Sequence, residues 1–271
     1  MVVRREALAE YPEELKLESA FGNVSVPVLR AAEVPAVDVL WVTVKATQLE
    51  SALAAVTQPA AVGMIVPLLN GIDHVSLLRS RYGTQRVVAA TIAVESERVA
   101  PGHIVHRSPF ARLNVSSAGR AVLGSTVEQF VQQGFECKFV DDEATLMWSK
   151  ICFLAPVALT STASELTIGG IASDPAWREQ LEACVREAGA VAVAEGARVD
   201  PAVVIAALMK LPGSMRSSMQ KDVAQGKTPE LDAIAGPILR GARRHGIEVP
   251  TTMKLAAAVE QRAGCVESLL A

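Results

Sequence analysis

Asp38-Val39-Leu40-Trp41-Val42-Thr43-Val44-Lys45 and Val62-Gly63-Met64-Ile65-Val66-Pro67-Leu68-Leu69-Asn70 are the stretches that decide the fold. Each is a continuous apolar run rather than an alternating one, as expected of strands covered by helices on both faces of a parallel sheet. Between them residues 48–56 keep a helical spacing, residues 75–82 do the same beyond, and residues 87–94 form a third apolar run. The order is β-α-β-α-β, which predicts an α/β architecture. Later strands are expected at 103–106 and 113–116, around a Pro101-Gly102 turn, and at 136–140.

After Asp141 the period becomes helical for nearly the whole remainder, with breaks expected at Gly169-Gly170, Pro212-Gly213, Gly226 and 246–250. Leu181, Cys184, Val185, Ala188, Val191 and Ala192 keep the three-four spacing of one buried stripe. Two domains follow: a sheet domain over 1–141 and an all-helical domain over 142–271.

The charges, 26 basic against 29 acidic, leave a net −3, which gives no general attraction for nucleic acid or an anionic membrane. Half the residues are apolar and only 4% are aromatic, a balance that suits helices and buried parallel strands. Cys137, Cys152, Cys184 and Cys265 show no short pair spacing, so reduced thiols in a cytoplasmic protein are expected rather than a zinc site or a disulfide framework. The longest wholly apolar stretch, 59–69, is short of the roughly 20 residues that span a bilayer, and no signal core follows Arg4-Arg5. His74, His103, His106 and His245 lack the spacing of a metal site, and no Gly-x-Ser-x-Gly elbow is present.

A few polar residues stand where chemistry could use them. Lys45 and Asn70 follow the two deciding strands, on the rim where ligands of open parallel sheets collect. A solvated strand end and an Asn-Gly turn are the plainer readings of these two. Lys150 lies in Leu146-Met147-Trp148-Ser149-Lys150-Ile151-Cys152-Phe153-Leu154, with apolar neighbours on nearly every helical face. Burial would lower its pKa and let it donate a proton to a developing alkoxide; the alternative is a stem that snorkels to water. Glu230, in Thr228-Pro229-Glu230-Leu231-Asp232, fits the first turn of a helix capped by Thr228 and opened by Pro229, a structural role that by itself explains a carboxylate there. Ser217-Ser218-Met219 could hold a carboxylate or decorate a turn.

These residues form an ordered set with Leu69-Asn70-Gly71, Pro101-Gly102-His103-Ile104-Val105-His106, Trp148-Ser149-Lys150, Ala192-Val193-Ala194-Glu195-Gly196, Asp222, Gly236 and His245-Gly246-Ile247 with Pro250. The set resembles the ketopantoate reductase family (2-dehydropantoate 2-reductases) over essentially the whole chain. The resemblance implies a Rossmann-type domain and the reduction of a 2-oxo acid by NADPH. It also implies Lys150 as general acid, with Glu230 positioning the lysine and the cofactor. Lys45 and Asn70 would face the cofactor, and Ser218 would bind the substrate carboxylate. A cytoplasmic enzyme with a small-molecule substrate is the implied setting, with homodimerisation open and neither nucleic acid nor membrane as partner.

The sequence departs from the family pattern in two places. The family opens with a strand, a Gly-x-Gly-x-x-Gly loop, a helix and a second strand, whereas Met1–Arg5 resembles the tail of that second strand; roughly 25 to 30 residues of the dinucleotide-binding unit do not appear. An incomplete Rossmann-type sheet is therefore expected, with the strand at 38–44 lacking one neighbour and with weak or no NADPH binding. A start placed too late in the gene is the leading explanation; the alternative is a catalytically silent binding or dimerisation remnant. Arg4 and Arg5 could mark the place of an NADP 2′-phosphate or be a solvated basic pair. The second departure is in the pocket: where pantoate-forming members carry asparagines four and eight residues beyond the lysine, this chain has Leu154 and Ala158, and a further asparagine falls near Ile168. Leucine and alanine offer no hydrogen bond to a hydroxylated ligand, so a more apolar 2-oxo acid or ketone is expected.

Overall fold

A computed structural model describes residues 1–264, so Cys265 lies outside the described residues. The chain divides into two compact units. One comprises Met1–Leu69 and Val75–Asp141; the other joins Asn70–His74 to the chain from Asp142 onward.

The first unit holds β1 (Glu14–Ser19), β2 (Val24–Pro27), β3 (Val37–Val42), α1 (Leu49–Leu53), β4 (Val62–Pro67), α2 (Asp73–Tyr82, from its third residue), β5 (Ala90–Ala93), β6 (Ser96–Ala100), β7 (His103–His106), β8 (Arg112–Ser116), α3 (Arg120–Gln132) and β9 (Glu136–Val140). The strands form three ladders, ordered β2-β1-β7-β6, β3-β4 and β5-β8-β9. The deciding pair β3-β4 is parallel as expected, with Val37 opposite Val62 and Val42 opposite Pro67. Beyond it the pattern is mixed: β5 pairs antiparallel with β8, which pairs parallel with β9. The run at 87–94 is only half strand, because Val87 contributes a single bridge to Ile65 before β5 begins at Ala90. Among the described residues β3 has one ladder partner, β4. A Cβ on Gly63 would stand 2.5 Å from the Asp38 carbonyl oxygen, so only glycine lets the two backbones lie this close.

The hairpin β1-β2 is legible in the alternation of Leu15 and Leu17 and of Val24 and Val26 about Gly22-Asn23, a period-two signal that the apolar-run reading passes over. α3 is a second addition; its Leu123 and Val127 pack with Val66, Val88, Ala90, Leu113 and Val115 in the core of this unit.

The second unit is helical: α4 (Glu143–Ser164), α5 (Ile168–Ser173), α6 (Pro175–Ala194), α7 (Pro201–Leu208), α8 (Ser218–Ala224), α9 (Leu231–His245) and α10 (Pro250–Ala263). The stripe expected on α6 is buried throughout. Its Cys184, Ala188, Val191 and Ala192 pack with α4, α9 and α10 in one cluster that includes Trp148, Ile151, Cys152, Ile238 and Leu255, while Leu181 and Val185 join Val157, Ile168, Ile171 and Leu208 in a second. The expected breaks at Pro212-Gly213 and Gly226 fall between helices, and that at 246–250 separates α9 from α10, which Pro250 opens; Gly246 ends α9 in the left-handed region at φ 64. The break expected at Gly169-Gly170 does not occur there. Both glycines lie inside α5, and α4 stops earlier, at left-handed Glu165, because the Thr167 hydroxyl accepts from Gly170 N–H and caps the next helix. α4 is also long and apolar enough, by length and composition, to cross a membrane; two thirds of that window (67%) is buried inside the protein.

Candidate functional site

α4 starts where the Asp142 carboxylate accepts from Thr145 N–H at 2.9 Å, and Arg198 closes on the same carboxylate at 3.0 Å. From this anchored start the helix carries Lys150 two turns along. As a whole residue Lys150 is half-buried, yet protein surrounds its ammonium densely enough that desolvation lowers its pKa to about 8; the negative charge of Glu230 opposes that shift.

Glu230 is buried, and its position corrects the sequence expectation. α9 begins at Leu231 with Glu230 itself as the N-cap residue, so Thr228 does not cap the helix and Pro229 is not its first residue. The Glu230 side chain makes no cap bond either. It is turned to Asn70, whose Nδ2 donates to Glu230 Oε2 at 2.9 Å across 160 residues of sequence. The Asn70-Gly71 turn is held against the start of α9. Gly71 has φ 88, and a Cβ there would lie 2.6 Å from the Ala233 carbonyl oxygen. Asp73 pairs with Arg240, which also holds Asp232 at 2.6 Å.

His74 completes this group, and the sequence reading passes it over because it weighs the histidines only as metal ligands. It is 6% exposed, and its Nε2 has no hydrogen-bond partner. Burial, reinforced by the positive charge of Lys150, lowers its pKa to about 4, so the imidazole is neutral at physiological pH. The one signal for it in the sequence is its place four residues after Asn70, at the head of an amphipathic helix.

Leu154 follows Lys150 by one turn and is half-buried, while Ala158 and Ile168 are buried in the apolar clusters of the helical unit. Ser217 and Ser218 separate sharply. Ser217 is buried, caps α8 by accepting from Gln220 N–H, and shares a 2.8 Å hydrogen bond with Ser161 of α4; Ser218 is exposed at the first position of α8.

In the sheet unit Lys45 stands three residues beyond the end of β3, not directly at it, as the N-cap residue of a 3-10 turn over Ala46–Gln48. Arg4 is exposed and 3.8 Å from Glu6, and Arg5 meets Glu33 at 2.7 Å. His103 pairs with Glu18, and His106 with Ser19. Among the described residues no group of three His, Cys, Asp or Glu could hold a metal ion.

The chain as a whole, an α/β unit followed by a helical one, has counterparts among known proteins. Residues 1–120 match the family described as "Ketopantoate reductase PanE/ApbA", and residues 143–263 match "Ketopantoate reductase PanE/ApbA C terminal". A 2-dehydropantoate 2-reductase of Caulobacter vibrioides is 30% identical over 254 residues, covering 90% of this chain and 85% of that protein. The crystal structure of a PanE/ApbA family ketopantoate reductase from Ralstonia eutropha JMP134 superposes with a TM-score of 0.82 at 25% identity, over 96% of this chain and 87% of that one. D-mandelate dehydrogenase with NADH and anilino(oxo)acetate superposes with a TM-score of 0.83 over the same shares, at 19% identity. Matched by family across both units, and by a relative along nearly its whole length, the chain belongs to the ketopantoate reductase family of oxidoreductases.

Proposed function

We propose that this chain reduces a 2-oxo acid or related ketone with NADPH, and that Lys150 is the general acid. The observation that carries the reading is Lys150 itself, a lysine with its pKa brought down to about 8 and kept charged by the carboxylate of Glu230. As the substrate carbonyl is reduced, negative charge grows on its oxygen. The Lys150 ammonium stabilises that charge and then gives up a proton more readily than an ordinary lysine would. Asn70 fixes the Glu230 carboxylate, and Glu230 in turn holds Lys150 in its charged form at neutral pH.

A nicotinamide cofactor supplies the hydride when bound. The residues present fit such a group in part. With Asn70 Nδ2 committed to Glu230, Asn70 Oδ1 remains as the acceptor that an amide N–H requires. The family resemblance adds Lys45, the residue before the 3-10 turn of the sheet unit. Arg4 and Arg5 already meet carboxylates, so a phosphate would have to draw them away from Glu6 and Glu33. Ser218, exposed at the start of α8, is available to a substrate carboxylate.

Leu154, half-buried one turn beyond the lysine, supports a substrate with an apolar rather than hydroxylated side chain; Ala158, one turn further, is enclosed in the apolar cluster of the helical unit and acts by leaving no amide there. The fold accepts such ligands, as the complex of D-mandelate dehydrogenase with anilino(oxo)acetate illustrates. A cytoplasmic homodimer acting on a small molecule belongs to the same reading, on the strength of the family resemblance. Two measurements test it. In a form of the protein that carries the strand and glycine-rich loop with which the family opens, Lys150→Ala should lower turnover by at least about a hundredfold, and unchanged turnover excludes Lys150 as the acid. Ketopantoate and its deoxy analogue should turn over equally, whereas a strong preference for ketopantoate sinks the apolar-substrate part.

A further inference from the structure

We propose that Arg240 is a positioning residue of this site: its guanidinium, seated over Gly236, bridges Asp73 and Asp232 and so keeps Asn70 on the Glu230 carboxylate. The inference rests on the roles given above to Lys150 and Glu230. Every residue it uses belongs to the helical unit. The segment Asn70–His74 meets the start of α9 at three points. Asn70 Nδ2 donates to Glu230 Oε2 at 2.9 Å, Gly71 lies against the Ala233 carbonyl, and Asp73 pairs with Arg240. The other terminal nitrogen of Arg240 holds Asp232 Oδ1 at 2.6 Å, two residues beyond Glu230. One guanidinium therefore ties the segment that carries Asn70 to the turn that carries Glu230.

The register of α9 makes this bridge possible. Asp232, Gly236 and Arg240 recur every four residues and so share one face of the helix. Long side chains on a helix lean toward its N-terminus, and that of Arg240 runs back over the turn of Gly236 to reach Asp232. A Cβ on Gly236 would stand 2.5 Å from Asp232 Oδ1 and collide with both terminal nitrogens of Arg240, so glycine keeps the track open. Gly236, which the sequence sets in the ordered group without a role, thereby acquires one. The planar fork gives one nitrogen to each carboxylate, a geometry that the point charge of a lysine does not reproduce. Without it two carboxylates would face the space it fills and repel each other. Asp73 and Asp232 are both exposed, so water screens these pairs and they contribute little to folding. Their effect is to fix Asp73, three residues after Asn70, against the first turn of α9.

The test reads Asn70 directly and needs neither cofactor nor turnover. The 271-residue chain has three asparagines, Asn23, Asn70 and Asn114, so selective 15N labelling gives three side-chain amide pairs, and Asn70→Ala identifies the one sought. Arg240→Leu should speed exchange of the Asn70 amide protons with water by at least about tenfold. Gly236→Ala should do the same with every charge retained, and, because alanine is the better helix former, without lowering the melting temperature. Arg244→Leu, which removes the ion pair with Glu195 at the far end of α9, should leave the exchange within about threefold of wild type. Exchange within about threefold of wild type in Arg240→Leu or in Gly236→Ala overturns the proposal, as does an equal acceleration by Arg244→Leu. If Arg240→Leu does not fold, Gly236→Ala decides alone. In a form that carries the family's opening strand and glycine-rich loop, Arg240→Leu should lower kcat by about tenfold or more. That loss should vanish in an Asn70→Ala background, since both changes release Glu230; equal losses in the two backgrounds overturn the proposal. Absence of turnover by that form with every 2-oxo acid overturns the parent reading, an outcome distinct from unchanged Asn70 exchange, which overturns this one.

Discussion

In the helical unit α4, α6, α9 and α10 share one cluster of buried side chains, whereas the sheet unit distributes its strands over three ladders and leaves β2 and β6 exposed along their length. The difference follows from where each element finds its backbone partners. A helix closes its hydrogen bonds within itself, so α4 can be buried nearly all round with Ile151, Cys152, Ala155 and Leu159 at or near zero exposure. A strand depends on lateral neighbours, and an outer strand of a ladder has only one. The polar residues gathered around the acid candidate, Lys150, Glu230, Asn70 and His74, all belong to the helical unit. Close packing there makes desolvation the main force on both Lys150 and His74.

The contrast can be broken most directly by truncating one side chain in each unit. Ile151→Ala, in the fully buried face of α4, should destabilise the protein by about 2 to 5 kcal/mol in urea unfolding, while Val26→Ala on exposed β2 should stay within about 0.5 kcal/mol. Equal costs would show that burial does not separate the two units.

The next effect is electrostatic. The lowered pKa of Lys150 means that the acid form is lost above pH of about 8, so turnover should fall about tenfold per pH unit beyond that point. Stability moves the other way. Between about 8 and 10.5 the unfolded chain binds a proton that the folded lysine does not, so this residue's contribution to stability rises with pH through that window. An activity profile flat to pH 10 would contradict the tuned ammonium.

For His74 the window lies lower. From pH 6.5 down to about 4 the unfolded histidine takes up a proton that the buried one refuses, so stability falls as the solution is acidified. His74→Leu should flatten the denaturation midpoint across this range relative to wild type; identical slopes would mean that the imidazole is not desolvated as the structure has it. The smallest change is expected at α8. Ser217→Ala removes a cap and the partner of Ser161 and should cost about 1 kcal/mol, whereas Ser218→Ala, exposed, should leave stability unaltered and act on substrate KM alone.

Much of the fold is legible where one period dominates. β9 and β7 fall on the residues expected, α6 buries the predicted stripe, and the run from 38 yields a strand paired in parallel with the run from 62. Legibility fails where a local signal has two uses. Gly169-Gly170 reads as a break, but a Thr167 cap upstream lets both glycines enter α5. Thr228-Pro229 reads as a helix start, but the helix begins only at Leu231, with Glu230 as its N-cap residue and the Glu230 carboxylate bonded to Asn70. Ser217 and Ser218 are equivalent as letters, and only the helix register buries one and exposes the other. In the site, Lys150 stands out because an isolated charge among apolar residues is anomalous in any packing. His74 does not, because a lone histidine carries no anomaly until its surroundings are known.

By itself the sequence determined the kind of each main element, the change from sheet to helix near Asp141, and the family, since these follow from spacing over a few residues and from motifs in order. The tertiary structure alone decided that Asn70 would meet Glu230, that His74 would lie in the field of Lys150, and that a short segment after β4 would join the helical unit. Periodicity constrains neighbours along the chain. Pairs 160 residues apart are fixed instead by which apolar faces fill one another and by which polar groups must be satisfied once water is excluded.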